Sequence, residues 1–407
     1  MTERIWRTLV LVLVIAVVAV ACSTSETVDT PTTTAGDTAT TTAGDTATTT
    51  AAPAEPIKVT IAHLADLTGP AKAPNEAQIR GIELALAKLA TEGEVEITLD
   101  RRDTSCDAAR ATAIMAEVVA DDSIVFQFGP ACSGEFFAAI PIAEQNEIPI
   151  ASFSSGGVFP GEFPAWAFRT SFAENAASKA IVRLLQEELG ATRIATAFTG
   201  DNDFARTSAE FFITQAEAAG LDIVNNQTFS SQDLSYTTIS EEIVASNPDA
   251  VYIATSSNTE GLLIKALRAA GLEVPVVGSN NTFHSPKDVW ETAGGGLGDV
   301  FFVAPYDPAD TRPIVQEFLA AFAAAFPDAE PTVQSALGYD AILILAEALK
   351  SIDGEITRES LRAAFAAVQF DGVTGTGMGF PDGRGDLLRN GTYIMSIIDP
   401  GVAVARR

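Results

Sequence analysis

From Ile57 onward, short apolar runs alternate with amphipathic stretches of helical length, and this rhythm restricts the folds open to the chain more than any single motif. Residues 58–64 (KVTIAHL) predict a strand, and 79–89 a helix with Ile82, Ala85, Leu86 and Leu89 on one face. A strand at 94–103, a helix at 108–119 and strands at 124–128 and 148–153 follow. Apolar strands separated by helices make a parallel sheet covered on both faces. After FRTSF (168–172) the rhythm restarts, with helices over 176–189, 205–219, 239–245 and 260–270. The strands between and after them fall at 193–198, 221–229, 250–255, 274–278 and 299–305. Residues 312–326, 333–351 and 357–368 predict three successive helices, too many for one sheet, so some should pack back on the first half. A Gly-rich segment, 372–391, and a strand at 392–398 finish the chain.

The expected fold is therefore α/β: two Rossmann-like lobes with parallel sheets, joined by a hinge. The N-terminal lobe is expected to hold 57–173 and 306–369, and the C-terminal lobe 174–305 and 370–400.

One stretch stands out for chemistry, SIVFQFGPACSGEFFAAI (123–140). A buried strand runs into a Gly-Pro break and then into an apolar helix opened by Cys132, Ser133, Gly134 and Glu135. The start of a helix leaves N–H groups unpaired and carries partial positive charge, and a Ser there adds a hydroxyl. Such a place suits a ligand carboxylate. The plainer reading of Ser133 is a helix N-cap, worth about 1 kcal/mol.

The N-terminus reads as an export signal. Arg4 and Arg7 precede thirteen apolar residues, Leu9 through Ala21, too short for a comfortable membrane span. Residues 1–21 are thus expected to be a signal peptide. Ala19-Val20-Ala21-Cys22 resembles a bacterial lipobox, which makes Cys22 the lipid anchor, although Ala19-x-Ala21 also suits cleavage to a freely secreted product. Residues 32–39 and 40–47 repeat the octapeptide TTTAGDTA. A stretch so rich in Thr and Ala cannot bury enough surface to fold, so 22–56 reads as a disordered tether, on the order of 30 Å in reach. The protein is expected outside the cytoplasm, anchored to the membrane and monomeric.

The formal charge of −28 argues against nucleic acid and against docking on anionic lipid. With Cys22 assigned to the anchor, Cys106 and Cys132 remain as a pair. In an oxidising compartment their default is a disulfide, with two buried thiols as the alternative. No spacing suggests a metal, and no cofactor is expected. His63 and His284 are the only histidines, neither in a Ser-His-Asp or HExxH arrangement, and there is no nucleophile elbow or P-loop. No enzyme is expected.

Residues 57–398 resemble the type I periplasmic binding proteins, in particular the leucine/isoleucine/valine-binding branch that serves ABC importers. The pieces that carry the resemblance come in the family's order: DLTGP (66–70), DTSCD (103–107), FGPACSGE (128–135), PIASFSSGG (149–157) and FRTSF (168–172). NPDAVYIATSS (247–257), GYDAILILAEAL (338–349) and FDGVTG (370–375) continue them. The resemblance implies a Cys106–Cys132 disulfide and assigns the ligand's carboxylate to Ser133. It implies that Ser154, Ser155 and Gly156 complete that head-group site, Gly156 standing where the family usually has Thr. Asn280 stands where the family has a Glu that holds the ligand's ammonium. Glu174 matches an acidic position facing the cleft and is the candidate replacement, although a surface or N-cap carboxylate is equally open. Pro74, Phe204 and Ser256 stand roughly where Tyr or Trp is common, and Phe204 also reads as core.

The function implied is capture of a small polar solute, first a branched-chain or related amino acid, for delivery to the permease subunits of an ABC importer. The alternative is a tethered ligand sensor, or a binder of a small carboxylate or amide without a dedicated importer.

Overall fold

The computed structural model describes residues 55–255 and 259–406. The expected signal peptide, the anchor Cys22 and the tether as far as residue 54 lie outside the described residues, as does Ser256. Among the described residues no helix is long and apolar enough to cross a membrane.

The first lobe opens with β1 (Ile57–Ala65), α1 (Lys72–Glu92), β2 (Val95–Asp103), α2 (Ala108–Val119) and β3 (Ile124–Phe128). It continues with α3 (Ser133–Gln145), β4 (Ile150–Ser152) and β5 (Ala167–Arg169). The second holds α4 (Glu174–Arg183), β6 (Arg193–Thr199), α5 (Asp203–Ala218), β7 (Asp222–Phe229), α6 (Thr237–Ala245) and β8 (Ala250–Ala254). Then come α7 (Glu260–Ala269), β9 (Val276–Ser279), α8 (Pro286–Ala293) and β10 (Val300–Ala304). Helices α9 (Pro313–Ala325), α10 (Val333–Lys350) and α11 (Arg358–Ala367) return to the first lobe. Short strands β11 (Gln369–Gly372), β12 (Gly375–Gly379), β13 (Gly385–Asp386) and β14 (Leu388–Asn390) precede the final β15 (Tyr393–Ile398) and β16 (Val402–Ala405).

The two main sheets repeat one plan. The first has the order β13-β5-β4-β3-β1-β2 and the second β16-β15-β10-β9-β8-β6-β7. In each, the first strand of the lobe sits between its second and third, and all pairs are parallel until β15 and β16 add antiparallel strands at the far edge. The strand order reverses between β1 and β3, and again between β6 and β8. In doubly wound sheets ligands bind outside the carboxyl ends of the strands at such a point.

The segment 370–390, expected in the second lobe, belongs instead to the first. Its apolar residues Val373, Met378, Phe380 and Leu387 fill the cluster that also holds Val59, Phe126 and Phe365. β13 adds in parallel to the edge strand β5, and β11, β12 and β14 form a small sheet of their own. Only β15 and β16 return to the second lobe.

Two devices fix the helices and the crossovers. Gly81 lets α1 lie against α10: a Cβ there would stand 1.9 Å from the Ser335 carbonyl oxygen, which no side chain tolerates. In α10, buried Asp340 accepts from Val373 N (2.9 Å), Thr374 N (2.7 Å) and Thr374 Oγ1 (2.6 Å). Arg389 donates to Thr374 Oγ1 (3.1 Å), to the Thr170 carbonyl and to the Ser171 carbonyl (3.3 Å), in the segment that crosses between lobes.

Candidate functional site

A cavity of about 310 Å³ lies between the lobes at the carboxyl ends of both sheets. Each lobe supplies strand-to-helix turns. Pro70, Ala71, Ala73, Pro74 and Asn75 follow β1, Ala131–Glu135 follow β3, and Ser154 and Gly156 follow β4. From the second lobe Asp201–Phe204 follow β6, Ser231 follows β7, and Asn281 and His284 follow β9.

Ser133 is the first residue of α3, after Cys132 as N-cap, and it makes no side-chain cap hydrogen bond. Its Oγ instead accepts from Ser155 Oγ (3.1 Å) and from Gly157 N (3.1 Å), which ties the helix start to the β4–β5 loop. Ser133, Ser154, Gly156 and Phe204 line the cavity. Ser155 does not line it but orients Ser133 from behind, its carbonyl accepting from Ser171 Oγ. Phe204 is both wall and core, since it also packs in the second lobe's apolar cluster.

The opposite wall is built differently from the expectation. Asn280 and Glu174 are fully buried and are not among the residues that line the cavity. Asn281 is the residue that does. Its Nδ2 donates to Glu174 Oε1 (2.8 Å) and to the Phe172 carbonyl (3.1 Å), and its backbone N–H to Ser279 Oγ (3.2 Å). The Phe172 carbonyl can only accept and Asn280 Nδ2 donates to Asn281 Oδ1 (3.4 Å), which together set the amide sense, and Oδ1 keeps a second lone pair. Burial pushes the Glu174 carboxyl up to about 7, against hydrogen bonds from Ser279 and Asn281 and the charge of Arg169. Glu174 thus meets the cavity wall only through its hydrogen bond from Asn281. Gly156 is the other half of this contact: a Cβ there would meet Asn281 Nδ2 at 2.2 Å, so the missing side chain leaves room for an amide from the opposite lobe. A second tie across the cleft is Val158 N to Thr207 Oγ1 (3.1 Å).

Among the described lining residues Asp201, Asp203 and Glu135 are acidic and none is Lys or Arg. Burial opposes the charge of Asp201, but hydrogen bonds from Ser231 N and the Ser230 and Ser231 hydroxyls hold its carboxyl below the usual range. Burial lowers His284, which leaves it neutral. The cavity thus offers hydroxyl and N–H donors at the start of α3 and acceptors on the second lobe.

Glu135 lies at the first-lobe floor, 1% exposed. Neither carboxyl oxygen has a well-aligned hydrogen-bond partner, although the Thr104 hydroxyl and the Cys132 and Asp107 N–H groups lie near enough to favour the charged form. Burial, and then the nearby Asp66 charge, push its carboxyl from the ordinary 4.5 to about 8. The folded state therefore keeps a proton between pH 4.5 and 8 that the unfolded state has released, and stability falls as pH rises through that window. Glu135→Gln is expected to match wild type at pH 5 and to exceed it in denaturant melts at pH 8. An equal difference at both pH values would count against the buried acid.

Asn281, Asp201 and Asp203 were missed by sequence reasoning. A signal for the aspartates was present: GDNDF after β6 occupies the same strand-turn-helix place as GPACS after β3. For Asn281 there was none, because the two asparagines of SNN are distinguished only by the turn that ends β9.

The profile of the family described as "Periplasmic binding protein" matches residues 58–399. The chain belongs to that family of periplasmic binding proteins. Solved structures share the fold over 86% of this chain. One is the branched-chain amino acid transporter substrate-binding protein LivJ from Streptococcus pneumoniae in complex with isoleucine, at 21% identity, 99% of that chain and TM-score 0.75. The leucine-binding protein LivK from Thermotoga maritima is similar at 24% identity, 98% of that chain and TM-score 0.77. A solute-binding protein of an ABC transporter from R. palustris, in complex with benzoate, matches at 23% identity, 95% of that chain and TM-score 0.75. Among curated proteins, none matches the chain.

Proposed function

We propose that this protein captures a small organic solute by its carboxylate and presents it to the permease subunits of an ABC importer. The observation that carries the reading is the meeting of the Ser133 hydroxyl, the open first turn of α3 and the Asn281 side chain around one cleft between the lobes. An amino acid, branched-chain or related, is the first candidate, because the second lobe offers acceptors that an amine can meet. The isoleucine complex of LivJ supports it. The second reading is a carboxylate without an amine. It is favoured by the placement of Glu174 behind Asn281, which leaves no carboxylate at the strand end, and by the benzoate complex. Anchoring through Cys22, a monomeric state and service to an importer rather than a sensor belong to the same proposal, and the first rests on the sequence alone.

Titration calorimetry against a panel of amino acids and aromatic acids tests it, with Ser133→Ala beside wild type. The variant is expected to lose about 1.5–3 kcal/mol of binding, the range for a hydrogen bond to a charged group. Binding of aromatic acids alone would select the second reading. A panel on which nothing binds, or a ligand held equally by both proteins, would remove the carboxylate site.

A further inference from the structure

The amide side chains at the first turns of α1 and α10 are not used by the head-group site. Asn75, on α1, and Gln334, on α10, line the cavity at 2% and 4% exposure. Neither Nδ2 nor Oδ1 of Asn75 has a hydrogen-bond partner among the described residues. Three residues along α1, and so on the same face, fully buried Gln78 donates from Nε2 to the Phe153 carbonyl (3.2 Å) and to Gln334 Oε1 (3.4 Å). Its own Oε1 is left without a donor. Gln334, with Oε1 taken by Gln78, has Nε2 to donate. Phe153 directly precedes Ser154, so the amides stand beside the head-group site. Buried polar atoms are nearly always paired, and covering one with an apolar group costs its full desolvation.

The rest of the lining points the same way. Apart from the Phe204 ring and the Cys106–Cys132 disulfide, its apolar residues are Ala and Pro, and among the described ones none is Val, Leu, Ile or Met. Such a wall offers little to pack against a branched aliphatic chain. With no Lys or Arg in it, a second carboxylate would find no countercharge either. Granting the carboxylate site proposed above, we infer that the solute carries a carboxamide tail that hydrogen-bonds Asn75 and Gln334, and that the site selects against an aliphatic tail of the same shape. A carboxamide meets Asn75 through both of its polar atoms, one N–H to Oδ1 and the carbonyl to Nδ2. A second N–H and a second lone pair remain for Gln78 Oε1 and Gln334 Nε2. A hydroxyl has one proton to give and a carboxylate none.

Titration calorimetry on the purified protein with two pairs of isosteres tests it: asparagine against leucine, and succinamate against 4-methylpentanoate. Within each pair the head is the same and the tail changes from a carboxamide to an isopropyl group. The carboxamide member is expected to bind at least about tenfold tighter in the pair whose head the site accepts. Asn75→Leu removes both unpaired atoms and keeps the side chain's shape, and is expected to shrink or reverse that preference without lowering the melting temperature. Gln334→Met is expected to shrink it as well. An isopropyl member held as tightly as its partner, with Ser133→Ala weakening both, overturns the carboxamide tail and leaves the carboxylate site standing. A preference that both folded variants keep in full also overturns it, and the wild-type pairs decide if neither variant folds. A panel on which no member binds removes the tail and the carboxylate site together.

Discussion

Replacing Asp340 with Ala is expected to destabilise the fold by about 3–5 kcal/mol, because each buried donor left without its acceptor costs about 1–3 kcal/mol and two backbone N–H groups and a hydroxyl lose theirs. Burial raises its carboxyl and is offset by three donated hydrogen bonds and by the Arg389 charge. Without it, Val373 N and Thr374 N lose their acceptor, and Arg389, whose Nε already lacks a partner, loses the charge it faces through Thr374. The site is tight: a Cβ added at Gly372 would stand 2.6 Å from Asp340 Oδ2. Since Arg389 holds the carbonyls of Thr170 and Ser171, the damage should reach the crossover between lobes. Denaturant unfolding reads the loss; a midpoint within error of wild type would show that the network contributes little.

The second large effect is expected from Cys106→Ser with Cys132→Ser. Closing 26 residues removes unfolded-state entropy worth about 3–4 kcal/mol. The bond also joins two residues that line the cavity, one of them the N-cap of α3. The double variant should therefore melt earlier and bind its solute more weakly. Loss of stability with unchanged affinity would mean that hydrogen bonds from Ser155 and Gly157 suffice to place Ser133.

The lobes were legible because their strands are near-continuous apolar runs between helices of distinct period. The small strands β11 to β14 were not: GTGMG and GD carry too few side chains to show a period, and what draws them to the first lobe is the set of apolar residues between them. In the site, Ser133 was legible because a strand, a Gly-Pro break and a helix define a place where donors gather. The opposite wall was not. Sequence placed an acceptor at Asn280 and a charge at Glu174, but the end of β9 turns Asn281 toward the cavity and leaves both of the others behind it. Which of two adjacent asparagines faces a cleft is decided by backbone direction over a single residue, and no pattern records that. The acid pair Asp66 and Glu135 was equally silent, its members lying in separate motifs.

The interleaving of the lobes bears on the order in which the chain can mature. The buried cluster of the first lobe contains both Val59 and Leu387, and the second sheet is completed only by β15 and β16. Chains that emerge residue by residue, at roughly 5–20 per second, usually let an N-terminal unit fold while the rest is being made. Here the larger cluster of the first lobe and one edge of the second sheet wait for the last residues, while clusters confined to residues 62–167 and 172–303 can close earlier, so part of the nascent polypeptide stays without its final packing for on the order of ten seconds or more at that pace. For a protein that has to be threaded through a membrane before it works, that delay is built into the connectivity and needs no separate segment to hold folding back.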